Sequence, residues 1–585
     1  MSDSVPSVLT SRFAKLNPFS KSKGDDENLG DVTDASTVAG GGHAARQTAI
    51  TKDQLRVSQA LKAYLVEKQV LSPEDADVSS DKPSVAIREL LDKSHVDVPR
   101  GITDRSFSLP SYYISSSHNT YLLAHQLYGS SSATAYETAL RNGARCVEID
   151  AWDHEENPDE PKVTHGYTLA SSIPFRSVCE AIRDVVNEEA GVHAVSEAHA
   201  APIMLSLENH CGAHGQMRLA TIMREVWGDR LLSKPVRDAG TREEYGTGEH
   251  VTLAQLGSKI AVMVEYHFGE EDPDQSSSSE EDGDEDEAAD FDRRAYRERK
   301  QKAADTGIIP ELAELGVYCQ SVKPQDNSWF ESKLKDGPHH HLINISESGL
   351  NALMPAHSAQ IAKHNSQHLM RVYPKGTRIN SGNLNPVTAW SVGAQVAALN
   401  WQTFDASLQL NEALFAGTDG YVLKPSALRS SGSGSLSTGR HKRLRLHVAG
   451  ATDIPIPEGH EANDVRPYLT CTLLHPHDFD AKPAKRKTSA YHHHKLGIIH
   501  KGLKNPPNTD PIWDEVLEWE YEDNELVFLR LIVKSDDKFA RNPMFAVAAV
   551  RLMYVVDGYV FIRMLDLKGR ETHCSLLVRF EIVDA

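Results

Sequence analysis

The sequence predicts an α/β barrel cut in two by a charged insertion, with a helical lobe before it and an all-β unit after it. Three observations carry this. From about 103 to 267, and again from about 308, apolar strands ending in polar or charged residues alternate with helical stretches. An acidic, serine-rich run (270–292) and the basic patch RRAYRERK (293–300) separate the two stretches. Beyond the serine- and glycine-rich SSGSGSLSTGR (430–440), the pattern changes to alternating runs such as RLRLHVAG (443–450), VFLRLIV (527–533) and SLLVRFEIV (575–583).

At 585 residues the chain is too long for one core, and three or four folded units are expected. Residues 1–50, rich in Ser, Gly and Asp, read as a disordered tail. Residues 51–102 read as a helical lobe: Val57, Leu61 and Leu65 recur at i, i+4, Ser72-Pro73-Glu74 is a helix start, and Ile87, Leu90 and Leu91 form a second apolar face. It holds no D-x-D-x-D-G calcium loop. In the first α/β stretch VEID (147–150), IMLSLE (203–208) and KIAVMVE (259–265) are strand-like, while AYETALRNG (135–143) and VCEAIRDVVNE (178–188) are helical. In the second, GVYCQS (316–321), LINISES (342–348), HLMRVYP (368–374), QVAALNWQT (395–403) and GYVLKP (420–425) continue the pattern to 429. The segment 430–440 reads as a flexible linker.

Composition excludes several classes. The six cysteines are scattered without a C-x-x-C pair, so neither a disulfide framework nor a zinc site is indicated. No apolar run approaches the ~20 residues of a membrane span, and no secretory signal is visible, so a cytoplasmic chain is expected. No nucleic-acid partner is expected. The net charge of −20 is concentrated: thirteen acidic residues and no Lys or Arg lie between Glu270 and Asp292, and without them the charge falls to −7.

Six residues carry the chemistry: His118, Asn119, Glu148, Asp150, His165 and Glu208. They lie in SSSHNTY (115–121), RCVEIDAWD (145–153), THGYT (164–168) and LSLENHC (205–211). Glu148 and Asp150, two apart on a strand, project to one face, and Glu208 ends another strand. Carboxylates at several strand ends point to the top of an α/β barrel. Three carboxylates and an amide oxygen suit Ca²⁺ or Mg²⁺ rather than zinc. One histidine near such an ion can donate to a phosphoryl oxygen, a second can protonate a leaving alkoxide, and a carboxylate, Glu148 or Glu208, can take a proton from an attacking hydroxyl. Each segment alone is weak; the ordered set is not. The tracts HHH at 339–341 and 492–494 are assigned no metal role.

These segments resemble the X region of eukaryotic phosphoinositide-specific phospholipase C of the delta-like kind. SES (346–348), MRVYP (370–374), NLNPVTAW (383–390), GAQVAALNWQT (393–403) and GYVLKP resemble its Y region, and NTDPIWDEVLEWE (508–520) resembles its C2 domain. No segment resembles its N-terminal pleckstrin domain. The resemblance implies a split TIM-like barrel: an EF-hand-like remnant at 51–102, an X half at 103–267, an X–Y linker at 268–307, a Y half at 308–429 and a C2 sandwich at 441–585. It implies Ca²⁺-dependent cleavage of phosphatidylinositol lipids to diacylglycerol and an inositol phosphate by way of a cyclic phosphodiester, in lipid signalling. Carried over by motif, Asn119, Glu148, Asp150 and Glu208 bind Ca²⁺, His118 stabilises the phosphate, His165 is the general acid and Glu148 the base. Arg371 contacts a phosphate and Tyr373 packs on the inositol ring; Asn344 also faces the substrate. A monomer at the membrane periphery is expected. The competing readings are a catalytically silent phosphoinositide-binding scaffold and a glycerophosphodiester phosphodiesterase; the latter leaves SSSHNTY, the Y region and the C2-like tail unexplained.

The chain also departs from the family. The strand KILLKGKK, whose later lysines grip head-group phosphates, appears as SKIAVMVEYH, with Met263 and Glu265 at those positions and Asn344 in place of a serine. Weakened preference for the bisphosphate is therefore expected. The C2 calcium loop reads VKSDD (533–537), with Ser535 at one carboxylate position, Pro543 at a later one and Arg466 in the first loop, so a structural C2 domain with weak or no Ca²⁺ binding is expected. The acidic linker is expected to cover the active site and to be repelled by anionic membranes, and SSSSEEDGDEDE (276–287) reads as a substrate for an acid-directed kinase.

Overall fold

Eight parallel strands close on themselves. We label them β1 (Tyr112–Ile114), β2 (Cys146–Trp152), β3 (Ile203–His210), β4 (Ile260–Glu265), β5 (Gln320–Val322), β6 (His341–Ser346), β7 (Leu369–Tyr373) and β8 (Val396–Ala397). Each pairs with the next, β8 pairs with β1, and the ring shuts where Cys146 N–H donates to Ser115 O at 3.0 Å and Ser116 bridges Cys146 in parallel. The computed structural model describes residues 26–28, 30–32, 54–80, 82–123, 130–166, 170–192, 201–236, 250–266, 307–324, 326–331, 334, 338–376, 378, 381–456, 461–478, 482–493, 505–536 and 544–585. The acidic run 270–292, the patch 293–300, Asp537 and Pro543 lie outside the described residues.

Strand alternation divides the barrel's apolar side chains between two cores. Ile114, Met204, Ala261, Met263, Leu342, Leu369 and Val396 point inward and fill the lower barrel. Val147, Ile149, Leu205, Val262 and Ile343 point outward against helices such as α4 (Phe175–Val192) and α5 (Ala213–Trp227). Each such burial contributes about 1.5–3 kcal/mol. The expected segments become strands, but GVYCQS shrinks to Gln320–Val322, and GYVLKP pairs antiparallel with β1 as a flanking strand (Tyr421–Leu423) rather than a stave.

After the barrel come β9 (His441–Thr452), β10 (Pro467–Leu474), β11 (Ala484–Lys487), β12 (Ile512–Glu522), β13 (Phe528–Ser535), β14 (Met544–Arg551), β15 (Gly558–Leu565) and β16 (Glu571–Asp584). Their order is β11-β10-β13-β14-β15-β16-β9-β12, with a single residue pair joining β14 to β15, which splits them into a C2-like sandwich. Leu529, Leu531 and Val533 face its interior, whereas Phe528 and Ile532 belong to the barrel's outer core. Phe528 lies 5.9 Å from Trp390, ring to ring. Barrel and sandwich thus share apolar packing.

The lobe forms α1 (Gln59–Glu67), α2 (Pro73–Ala76) and α3 (Val85–Asp92), capped by Ser58, Ser72 and Ser84. Leu61, Leu65 and Ile87 pack on Ala449, Phe561 and Leu577 of the sandwich. The fully buried Lys62 donates to Asp77 O, Ser80 O and Lys82 O at 3.3, 2.7 and 3.1 Å. Its ammonium thus satisfies the carbonyls of the turn between α2 and α3.

Two segments differ from expectation. Within the tail expected to be disordered, residues 26–28 and 30–32 are seated against barrel and sandwich: Asp31 N–H donates to Leu567 O at 2.9 Å, and Val32 bridges Thr403. Composition carries no signal for contacts that the fold supplies. The 430–440 segment, expected to be flexible, is held by Glu522, whose Oε1 accepts from Ser437 Oγ, Thr438 N and Gly439 N at 2.6, 2.7 and 2.9 Å.

Candidate active site

The C-terminal ends of the barrel strands gather the predicted residues. Register sets the acidic group: Asp150 on β2 sits directly across from Glu208 on β3, and Glu148 lies one inward position below Asp150. One carboxylate oxygen from each of the three lies within 4.8 Å of the others. Like charges facing across strands repel, so this arrangement costs free energy unless something neutralises it.

Neutralisation from within the protein is partial. Arg371 on β7 crosses the barrel to pair with Glu148, and it donates to Asn344 Oδ1, its cross-strand neighbour, at 3.1 Å. Both members of the Arg371–Glu148 pair are buried. Burial raises the proton affinity of Glu148, but Arg371, His118 and the Asn119 N–H outweigh it and hold the carboxyl below its usual range. Asp150 and Glu208 go the other way: burial and the neighbouring carboxylates push both well up. Asp150 Oδ2 accepts from Tyr121 OH at 2.6 Å, while its buried Oδ1 has no hydrogen-bond partner. An orphaned oxygen within a group of three carboxylates fits a hard divalent cation.

His118 is oriented by residues the sequence reading did not single out. Asn400 Nδ2 donates to Gly382 O at 3.0 Å, which fixes the amide so that Oδ1 faces His118 Nδ1 at 2.8 Å. Nδ1 therefore carries the proton, and Nε2 points toward Glu148 Oε2, 3.8 Å away. Burial, opposed by Glu148, lowers the pKa of His118. His165 follows the short strand Lys162–Val163 and is close enough that its charge also lowers the proton affinity of His118.

Asn119 takes a left-handed backbone (φ 45°), sends its N–H to Glu148 Oε2 at 2.7 Å, and has its side-chain oxygen 3.1 Å from Tyr121 OH. Gln402 Nε2 holds the Asn119 carbonyl at 2.7 Å. Tyr373 stacks near the Arg371 guanidinium, 5.7 Å from its ring centre. The structure thus brings Asn344, Arg371 and Tyr373 to the same mouth. However, Arg371, expected to meet a phosphate, here pairs with Glu148. Sequence reasoning missed Asn400, Tyr121 and Gln402 as positioning residues; all three lie inside the motifs it quoted, which was the available signal.

Met263 is buried among the inward apolar residues, and Glu265, two residues on along β4, is exposed at the same inward face, one step nearer the mouth. Alternation therefore does not turn Glu265 away.

A closed parallel barrel with histidines and a carboxylate trio at its mouth defines the class, and known proteins resolve it further. Residues 106–266 match the X domain, and residues 312–427 the Y domain, of phosphatidylinositol-specific phospholipase C. The chain carries the X and Y domains of that family. It is 30% identical to human 1-phosphatidylinositol 4,5-bisphosphate phosphodiesterase delta-1, over 82% of this chain and 61% of the relative. It is 29% identical to a phosphodiesterase of the same designation, numbered 1, from Candida albicans, over 81% of this chain and 47% of that one. The chain thus spans about three fifths or less of the length of these relatives. The crystal structure of L. pealei PLC21 shares the fold, with a TM-score of 0.66 and 24% identity over 89% of this chain and 62% of that one.

Proposed function

We propose that this chain is a Ca²⁺-dependent phosphoinositide phospholipase C that cleaves phosphatidylinositol lipids to diacylglycerol and an inositol phosphate. The observation that carries the reading is the carboxylate trio Glu148, Asp150 and Glu208, with His118 beside it. Ca²⁺ at the trio and Asn119 would supply positive charge to the phosphate and to the attacking hydroxyl. The inositol 2-hydroxyl attacks phosphorus, the glycerol oxygen leaves, and a cyclic phosphodiester forms that water then opens. The negative charge of a bound phosphate raises the proton affinity of His118, so that its Nε2 gains a proton and donates to a phosphoryl oxygen, and His165 gives a proton to the leaving glycerol oxygen. Glu148 takes the proton of the 2-hydroxyl. A phosphate that draws Arg371 away would leave Glu148 without its counter-ion and therefore more basic.

The curated relatives are named for the 4,5-bisphosphate. Here Met263 buries an apolar side chain, and the Glu265 carboxylate stands on the face where lysines would attract a phosphate. We therefore assign this chain a preference for phosphatidylinositol or its monophosphate. It would act from the cytoplasm as a monomer at the membrane surface; among the described residues no helix is long and apolar enough to cross a membrane. The test is release of water-soluble inositol phosphate from vesicles of each head group, with Ca²⁺ or chelator, for the parent chain and Glu265→Lys. The parent should favour phosphatidylinositol, and Glu265→Lys should raise bisphosphate turnover about tenfold. A parent that turns over the bisphosphate best would sink the head-group assignment while leaving the reaction intact.

A further inference from the structure

One face of three adjacent sandwich strands is basic. The ladder places Lys485, Thr472 and Arg530 side by side, then Lys487, Thr470 and Ile532, then Tyr468 and Lys534. Lys485, Lys487, Arg530 and Lys534 therefore share a face. The outermost strand, β11, is exposed at every residue, and the Lys487 ammonium stands 5.5 Å over the Tyr468 ring.

Glu27 sits on this face. Its Oε1 lies 2.6 Å from Lys534 Nζ and its Oε2 lies 2.6 Å from Lys485 Nζ, while its carbonyl accepts from Arg530 at 2.6 Å. The carboxylate is nearly buried, at 10% exposure, yet Lys485 remains 37% exposed. Arg530 also donates to Gln409 of the barrel at 2.6 Å. A single carboxylate thus bridges two ammonium groups where sandwich and barrel meet.

The contacts that seat this segment are polar. Among the described residues no side chain of 27–28 or 30–32 joins an apolar core cluster, and Val32 is 46% exposed. Gly30 lies so close to the barrel that an added Cβ would meet Phe404 O at 2.2 Å. A strap held by charge and close backbone fit, rather than by apolar burial, can be exchanged for a competing anion.

We propose that the segments 26–28 and 30–32 form a releasable strap and that Glu27 plugs an anion site, built by Lys485, Lys534 and Arg530, whose other occupant is the phosphate head group of an anionic phospholipid surface. A lipid phosphate presents two oxygens to the two ammonium groups as the carboxylate does, and a bilayer supplies many at once. Leaving the strap in place keeps this face neutralised; removing it adds the sandwich to the surfaces that meet the membrane.

Co-sedimentation of the full chain, in chelator so that Ca²⁺ plays no part, tests this. Vesicles of phosphatidylcholine alone are compared with vesicles also containing phosphatidylserine. Glu27→Gln removes the charge. Gly30→Val leaves the net charge unchanged and expels the strap by clash with the Phe404 carbonyl. Both should bind phosphatidylserine vesicles about tenfold to thirtyfold more tightly than the parent, and neither should gain on phosphatidylcholine. Adding Lys485→Ala and Lys534→Ala to Gly30→Val should return binding to the parent level. High salt should erase the gain. A gain in Glu27→Gln without one in Gly30→Val would overturn the proposal, because the effect would then be bulk charge. So would a gain that survives loss of both lysines. Inorganic phosphate that abolishes the gain at concentrations far below those of the lipid phosphate would make the ligand a free anion rather than the membrane, and would likewise overturn it.

Discussion

Two carboxylate clusters in this molecule differ in how much of their charge is answered. At the barrel mouth, among the described residues, Glu148, Asp150 and Glu208 share one guanidinium, Arg371, which pairs with Glu148, and an Asp150 oxygen has no hydrogen-bond partner. Where the lobe meets the sandwich, Asp453 and Asp510 enclose Arg56. Its guanidinium donates to Asp453 Oδ1 at 2.6 Å and to Asp510 Oδ1 and Oδ2 at 2.8 and 2.7 Å, and Asp510 Oδ1 also takes the Asp453 N–H at 2.9 Å. Burial opposes the charge on Arg56, but the two carboxylates outweigh it and raise its proton affinity. In the second cluster both carboxylates bond the guanidinium directly, although two negative charges share one positive charge and burial still raises the proton affinity of Asp453, and the cluster ties two units together. The first crowds three carboxylates together, Glu148 and Asp150 buried and Glu208 partly exposed at the mouth, a cost that structural packing alone does not explain and that ion binding would offset.

The largest expected effect separates the clusters by activity. His118→Ala should lower inositol phosphate release by about 10²–10⁴-fold, whereas Arg56→Ala should leave the rate per folded molecule within about threefold. Comparable losses in both would abolish the distinction between a working and a structural cluster.

Calcium should sharpen it. Scanning calorimetry of the parent should show a melting temperature several degrees higher with Ca²⁺ at about a hundredfold over its Kd than in chelator, from a linkage of about 2.7 kcal/mol. Asp150→Asn or Glu208→Gln should remove the rise; Asp510→Asn should keep it.

In the metal-free chain the signs should oppose. Arg56→Ala leaves two carboxylates facing each other and should cost about 1–3 kcal/mol, a range reduced by the partial exposure of the pair. Asp150→Asn relieves repulsion and should stabilise by about 1–2 kcal/mol. The pH dependence follows from the raised proton affinities of Asp150 and Glu208. A carboxyl whose folded pKa lies above its unfolded one contributes stability that is complete below the unfolded value and is lost as pH rises through the folded value. The advantage of Asp150→Asn over the parent, measured by urea unfolding in chelator, should therefore be greatest at alkaline pH and shrink as pH falls.

The smallest effect concerns a third acidic group, the thirteen carboxylates of 270–292. Deleting that run should raise turnover on anionic vesicles severalfold at low salt and scarcely at high salt. Equal activity in both salts would make the run a plain tether.

Much of the candidate site was legible from the chain. Glu148 and Asp150 announce themselves because strand alternation puts residues two apart on one face, and Glu208 because it closes an apolar run. His118 and His165 stand in recognisable motifs. The partners of these residues were less legible. Arg371 reaches Glu148 across 223 positions of sequence and Asn400 reaches His118 across 282, and no local period encodes such pairs. Likewise Glu27 meets Lys534 across 507 positions, so composition marked its segment only as tail.

By itself, then, the sequence determined the order of strands and helices, the two halves of the barrel, the sandwich that follows, and which acidic and imidazole groups stand at strand ends. These depend on periodicity and motif, which are local properties. Tertiary structure alone decided which charges are answered: Arg371 to Glu148, Arg56 to Asp453 and Asp510, Lys62 to three carbonyls, and Glu27 to two lysines. Charge compensation depends on distance and burial, and both exist only once the barrel has closed and the sandwich has docked against it.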